Sequence, residues 1–416
     1  MPEQKRIPWL LLSCALALCI APAACSSENP EPIASNCDDE DGCMSTPQPL
    51  ERIDAVDILM VIDNSASLQP KLDGLKRELP RMLNAIVGGG ENGEPGFPAA
   101  ASVHMAVATS DMGALGVSDI HMCEGRGEDG IFVRPNDVEL SCERSYPGYL
   151  SFDGDSAAVA TVDTVGCVPL VGSAGCGFEQ PLEASLKALW PASDDSIVFH
   201  DGESHGEGEN TGFLREDSLL VVIVVTDEDD CSASDPRTFV TAAHLDPENP
   251  DDQVLLSQGL NVRCLQEERT HDVQRYVDGL KALRPDHPDR IVFAMIAGIP
   301  PELVAPVAGS PSDIANDAER EAAYDAILAH PLMQQVLDDS GTPDPQDDHL
   351  QPSCNTAQGR SFPPVRLIET ARGFGQQAVL GSICQDDFGA TAGMLIRTIG
   401  MRLTEAANAP ADGGAP

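Results

Sequence analysis

The 416-residue sequence predicts an α/β fold, a doubly wound and mostly parallel central sheet with helices on both faces. Three observations predict it. Apolar runs at 56–62, 103–109, 219–225, 291–297 and 378–383 are nearly unbroken, as strands buried on both faces should be. Helical periodicities alternate with them, at 68–87, 179–189, 270–283, 365–372 and 388–403. That alternation of strand and helix is the pattern of a doubly wound sheet.

The chain opens on a targeting segment. Lys5 and Arg6 precede an apolar run, 7–21, too short for a membrane span and suited to a signal peptide over 1–24. It ends in Pro22-Ala23-Ala24-Cys25-Ser26-Ser27, which resembles a bacterial lipobox, with Pro22 where Leu is usual. Cys25 would then carry a lipid and become the mature N-terminus; the alternative is plain cleavage after Ala24. Either route exports the protein, and the first anchors it in a bacterial envelope, on the outer membrane or cell surface. Residues 25–50, rich in Ser, Pro, Asn and Asp, read as a disordered tether.

The domain expected over 51–404 begins with the strand at 56–62, and the helix after it places Leu72, Leu75, Leu79, Met82, Leu83 and Ile86 on one face. The run 219–225 is the strongest strand signal. Three stretches, near 111–176, 191–217 and 299–362, interrupt the rhythm and hold many of the Cys, Gly and Pro residues. Loops of that length in one domain are functional or stapled. Residues 405–416 read as a disordered tail.

Cysteine usage supplies the staples. Of 13 cysteines, Cys14 and Cys19 fall in the signal and Cys25 is the lipid candidate. The remaining ten are Cys37, Cys43, Cys123, Cys142, Cys167, Cys176, Cys231, Cys264, Cys354 and Cys384, an even number in an oxidising compartment. The sequence does not fix their connectivity, although Cys37 with Cys43 is a plausible local pair.

The net charge is −42, from 67 acidic and 25 basic residues. Such a surface repels phosphate backbones, so nucleic acid is excluded as a partner. It also offers many hard oxygen ligands for divalent cations.

One constellation carries chemistry. The first strand ends in Asp63-Asn64-Ser65-Ala66-Ser67, a carboxylate and two hydroxyls at alternate positions of a strand-to-helix turn. The strongest strand ends in Thr226-Asp227-Glu228-Asp229-Asp230, which puts Asp227 at the same edge of the sheet. Ligands of open α/β sheets bind beyond the carboxyl ends of strands, and such donors suit Mg²⁺ or Ca²⁺. Glu228, Asp229 and Asp230 read as a solvated turn rather than a second cation site. Asp57 and Asp111 read as supports for strand and loop. His200 and His205, with Glu203, Glu207 and Glu209, have the residue types of a transition-metal site but the glycine-rich setting of a mobile loop.

The D-x-S-x-S turn, the later aspartate and the alternating order resemble a von Willebrand factor type A domain over roughly residues 52–403. The segments Gly212-Phe213-Leu214-Arg215 and Val225-Thr226-Asp227-Glu228-Asp229-Asp230-Cys231 are similar to those of cysteine-rich bacterial lipoproteins that carry such domains. The resemblance implies a metal-ion-dependent adhesion site with Asp63, Ser65, Ser67 and Asp227 around Mg²⁺ or Ca²⁺. It also implies a protein ligand that offers a carboxylate. The family's middle loop has a Thr at the metal; here that region reads Gly175-Cys176-Gly177-Phe178-Glu179-Gln180-Pro181. Glu179 either takes the place of the Thr as a metal ligand or caps the following helix.

The metalloprotease signature H-E-x-x-H does not occur and the serines of the D-x-S-x-S loop have no evident His partner in the sequence, so an enzyme is not expected. The competing role is structural, an envelope lipoprotein whose metal and disulfides only stabilise the fold.

Overall fold

The computed structural model describes residues 53–91, 96–134, 148–153, 165, 171–200, 202–304 and 311–408. The signal segment, Cys25, the tether, Cys37, Cys43, Cys142, Cys167 and residues 409–416 lie outside them.

Each of the five expected runs forms a strand. They are β1 (Ala55–Ile62), β2 (Ser102–Thr109), β4 (Leu219–Val225), β5 (Ile291–Ala297) and β6 (Ala378–Ser382), and a sixth strand, β3 (Tyr149–Asp153), joins them. The sheet order is β6-β5-β4-β1-β2-β3, parallel except for the β2–β3 pair. Sequence reading missed β3 because it is a five-residue edge strand inside the 111–176 insertion.

Among the described residues the main helices are α1 (Leu72–Gly88), α2 (Pro181–Leu189), α3 (Gln274–Ala282), α4 (Asp317–Leu328), α5 (Val365–Arg372) and α6 (Gly389–Asn408), with shorter ones at Pro250–Leu256 and Pro301–Val304. Alternate strand residues point to opposite faces. Ile58, Met60, Val221, Ile223, Val292 and Ala294 pack with α1 and α6, whereas Leu59, Val61, Val222, Val224, Phe293 and Met295 pack with α2, α3 and α5. Both faces are therefore covered, which is why the central strands carry no polar alternation.

Three expectations need correction. The stretch 231–270, not read as an insertion, is built mainly of 3₁₀ turns around the Pro250–Leu256 helix. The 299–362 stretch contains α4 and two small hairpins, Leu337–Asp338 with His349–Leu350 and Cys354–Thr356 with Gly359–Ser361. Finally, α6 runs on to Asn408, beyond the point where the tail was expected to begin. Among the described residues, no helix is long and apolar enough to cross a membrane.

Among the described residues three disulfides are present: Cys123–Cys176, Cys231–Cys264 and Cys354–Cys384. The first two pack with Phe178 and Phe239 in a small apolar cluster at one end of the sheet.

From β1 the chain proceeds to β2 on one side, while β4 pairs on the other. The connections diverge at the carboxyl ends of β1 and β4, the place where a doubly wound sheet opens a crevice. Asp63 and Asp227 stand just beyond those two ends.

Candidate functional site

The D-x-S-x-S turn is held by its own first carboxylate. Asp63 is fully buried; its Oδ1 accepts the Ser65 amide at 2.7 Å and its Oδ2 accepts the Thr226 hydroxyl at 3.0 Å. The Asp63 amide in turn donates to the Val225 carbonyl at 2.9 Å, which locks the turn to the end of β4. The hydroxyls of Ser65 and Ser67 lie 2.9 Å apart, and Ser67 Oγ donates to Asp227 Oδ1 at 3.1 Å. Four of the five candidate residues thus meet at one edge, with Asp63 and Asp227 buried and Ser67 exposed.

The fifth, Glu179, is 2% exposed. It does not cap α2. Asp230 Oδ1 accepts the Leu182 amide at 3.0 Å and Ser232 Oγ accepts the Glu183 amide at 3.0 Å, so the β4 loop does that work. Instead the Glu179 side chain lies near enough to Glu228 for each carboxyl to feel the other, and its Oε1 is buried without a partner. The loop before it fits closely: a Cβ on Gly175 would lie 1.9 Å from Asn64 Oδ1, so any larger residue there must push the Asn64 side chain aside.

The acidic run after β4 is not the solvated turn its composition suggested. Each member has its own task. Asp227 faces the hydroxyls and Glu228 meets Glu179. Asp229 accepts the Arg366 amide at 3.1 Å and so caps α5, and Asp230 caps α2 and pairs with the Arg366 guanidinium at 3.1 Å.

Sequence reasoning missed Lys71. Its ammonium is buried, pairs with Asp227 Oδ2 at 2.5 Å, and also donates to the Arg360 carbonyl at 2.6 Å and Ser361 Oγ at 3.2 Å. The Phe362 amide reaches the Asp227 carbonyl at 2.8 Å. The late hairpin is therefore clipped to the site at two points. A signal was available, because Lys71 sits at helical spacing from Leu68, Leu75 and Leu79 and so falls on the inward face.

Electrostatics follow from crowding four carboxyls around one ammonium. Burial first, and then the nearby Asp227, push the Asp63 carboxyl up to about 7. Burial, then Asp63 and Asp227, raise Glu228 to about 8. Glu179 is pushed well above the usual range by burial and then by Glu228. Excess negative charge kept out of water is the condition that a bound cation relieves.

The donors are all oxygen, two of them hydroxyls at the exposed side. That set fits a hard divalent cation. Among the described residues, no three His, Cys, Asp or Glu side chains form a group that would hold a metal by themselves. Any such site here depends on the serines.

The remaining candidates are structural. Asp57 accepts the Arg215 amide at 2.7 Å, and Asp111 accepts the Gly113 amide at 2.9 Å. The His205 loop, expected to be mobile, is tied down: His205 is 5% exposed and sits between Asp129 Oδ2 at 3.1 Å and Glu209 Oε2 at 2.8 Å. Asp129 also holds the fully buried Lys187 at 2.6 Å. No protein-family model matches the chain, and no curated protein matches it in sequence.

Proposed function

We propose that the chain is a von Willebrand factor type A-like binding module, exported and anchored to a bacterial envelope by a lipid on Cys25. It captures a protein ligand through Mg²⁺ or Ca²⁺ held at Asp63, Ser65, Ser67 and Asp227, with Glu179 as a buried carboxylate behind them. The observation that carries this reading is the meeting of the Ser65 and Ser67 hydroxyls with Asp227 over the crevice between β1 and β4. When bound, the cation supplies an electrophilic position for a partner's carboxylate oxygen. The protein's own contribution is orientation: the Ser65 amide and Thr226 hydroxyl fix Asp63, while the Ser67 hydroxyl holds Asp227.

A binding role is favoured over hydrolysis by the partners of the two serines, which are each other and Asp227 rather than a histidine. Calorimetric titration of the mature chain with Mg²⁺ tests the reading. Asp63→Ala and Asp227→Ala should each abolish the binding isotherm, and capture of envelope proteins should stop when chelator is added. An unchanged isotherm in both variants would reject the site.

The Lys71–Asp227 ion pair favours a second reading, in which this edge is a structural charge network within an envelope lipoprotein. In that case chelation leaves every association of the protein in place.

A further inference from the structure

Beside the serine edge lies a cavity of about 270 Å³ whose lining includes Phe178, Leu265, Leu350 and Phe362 together with Glu179 and Glu228. Its other walls come from the Cys231–Cys264 disulfide, Asn261 and His349. We propose that this cavity binds an organic cation, a primary ammonium or guanidinium on an apolar stem, with the charged head on Glu179 and Glu228.

The charge balance of the walls argues for it. Asp229 and Asp230 line the same cavity, but Asp229 accepts the Arg366 amide and the Gln335 side chain, and Asp230 pairs with the Arg366 guanidinium. Among the described residues, Glu179 and Glu228 form no ion pair with any Lys, Arg or His. The nearby Lys71 ammonium is spent on Asp227, Arg360 and Ser361. Glu179 is 2% exposed and its Oε1 has no hydrogen-bond partner, an arrangement that costs free energy until a donor arrives.

The apolar walls decide the kind of cation. A bare metal ion gains nothing from Phe178, Leu265, Leu350 and Phe362, and among the described residues no three His, Cys, Asp or Glu side chains are arranged to hold one. An alkyl stem buries its methylenes against those side chains, and its ammonium makes charge-assisted bonds at the far end. A protein's Lys or Arg side chain and a free small amine share this chemistry.

The test uses the mature chain in excess EDTA, so that it is independent of any divalent cation at the serines. Pentylamine and N-acetyl-lysine N-methylamide are titrated calorimetrically against their neutral counterparts, pentanol and N-acetyl-norleucine N-methylamide. Pentylamine should bind at least about tenfold more tightly than pentanol. Glu228→Gln, which keeps the shape of the wall, should weaken the amine by about tenfold. Leu350→Trp, at a half-buried position, should block it by filling the cavity. Binding of the capped lysine as well assigns the cavity to a partner's side chain; binding of pentylamine alone assigns it to a free amine. Equal affinity for amine and alcohol overturns the proposal. So does amine binding that survives both substitutions in variants whose thermal unfolding matches the parent.

Discussion

Lys71 decides how strongly the serine edge attracts a cation. Its positive charge sits on Asp227, and a second positive charge brought to the same edge must work against it. Lys71→Met leaves Asp227 buried and unpaired, so the metal-free protein should lose about 3 kcal/mol in urea unfolding. The same variant should bind Mg²⁺ roughly tenfold more tightly, because one repulsive charge is gone. Weaker Mg²⁺ binding in a folded Lys71→Met protein would show that the ammonium supports the site instead. Asp63, Ser65, Ser67 and Asp227 were legible because short-range spacing and strand ends determine where they stand. Glu228 was not, since its neighbour Glu179 lies 49 residues earlier in the chain and only the folded sheet brings the two carboxyls together (228 − 179). The capping of α2 by Asp230 and Ser232 was hidden for the same reason.

At the scale of elements, the loops are held by polar clamps and disulfides rather than by regular structure. The clamp of His205 between Asp129 and Glu209 has a definite pH signature. Burial opposes charging of His205, but the two carboxylates outweigh it and raise its pKa above 6.5, while His205 and Lys187 lower that of Asp129 below 3.8. The histidine's contribution to stability is therefore complete below about 6.5 and is lost as pH rises through the raised folded value. The aspartate's contribution is complete above about 4 and is lost as pH falls through the lowered one. His205→Ala should remove the part of the stability that declines from pH 6 to 8, measured as the difference in urea midpoint between those values. An unchanged difference would dissociate the clamp from the titration. The Cys231–Cys264 bridge closes a 33-residue separation, and its removal by paired Cys→Ser substitution should cost roughly 3–4 kcal/mol. A loss below about 1 kcal/mol in denaturant unfolding would mean that the turns of 231–270 hold themselves. The buried strands were legible from their unbroken apolar runs. By contrast, α4 was not, because the buried residues it offers the core are only Arg320, Tyr324 and Ile327.

For the whole molecule, a net charge of −42 makes compaction electrostatically costly. Raising NaCl from about 10 to 150 mM should raise the unfolding temperature, because the Debye length shrinks from about 30 to 8 Å. Mg²⁺ at the same ionic strength should raise it further, and Asp227→Ala should erase that surplus while keeping the NaCl effect. An equal response to the two salts in the parent protein would leave only screening. The architecture makes this separation possible, because the doubly wound sheet brings Asp63 and Asp227 to its central crevice while the rest of the acidic surface stays diffuse. The most direct test of the metal assignment is the anomalous scattering of Mn²⁺ in crystals of the mature chain soaked in that ion. The account predicts a peak within bonding reach of the Ser65 and Ser67 hydroxyls and beside Asp227. A map with no peak there at saturating Mn²⁺, and with Lys71 still paired to Asp227, would contradict it.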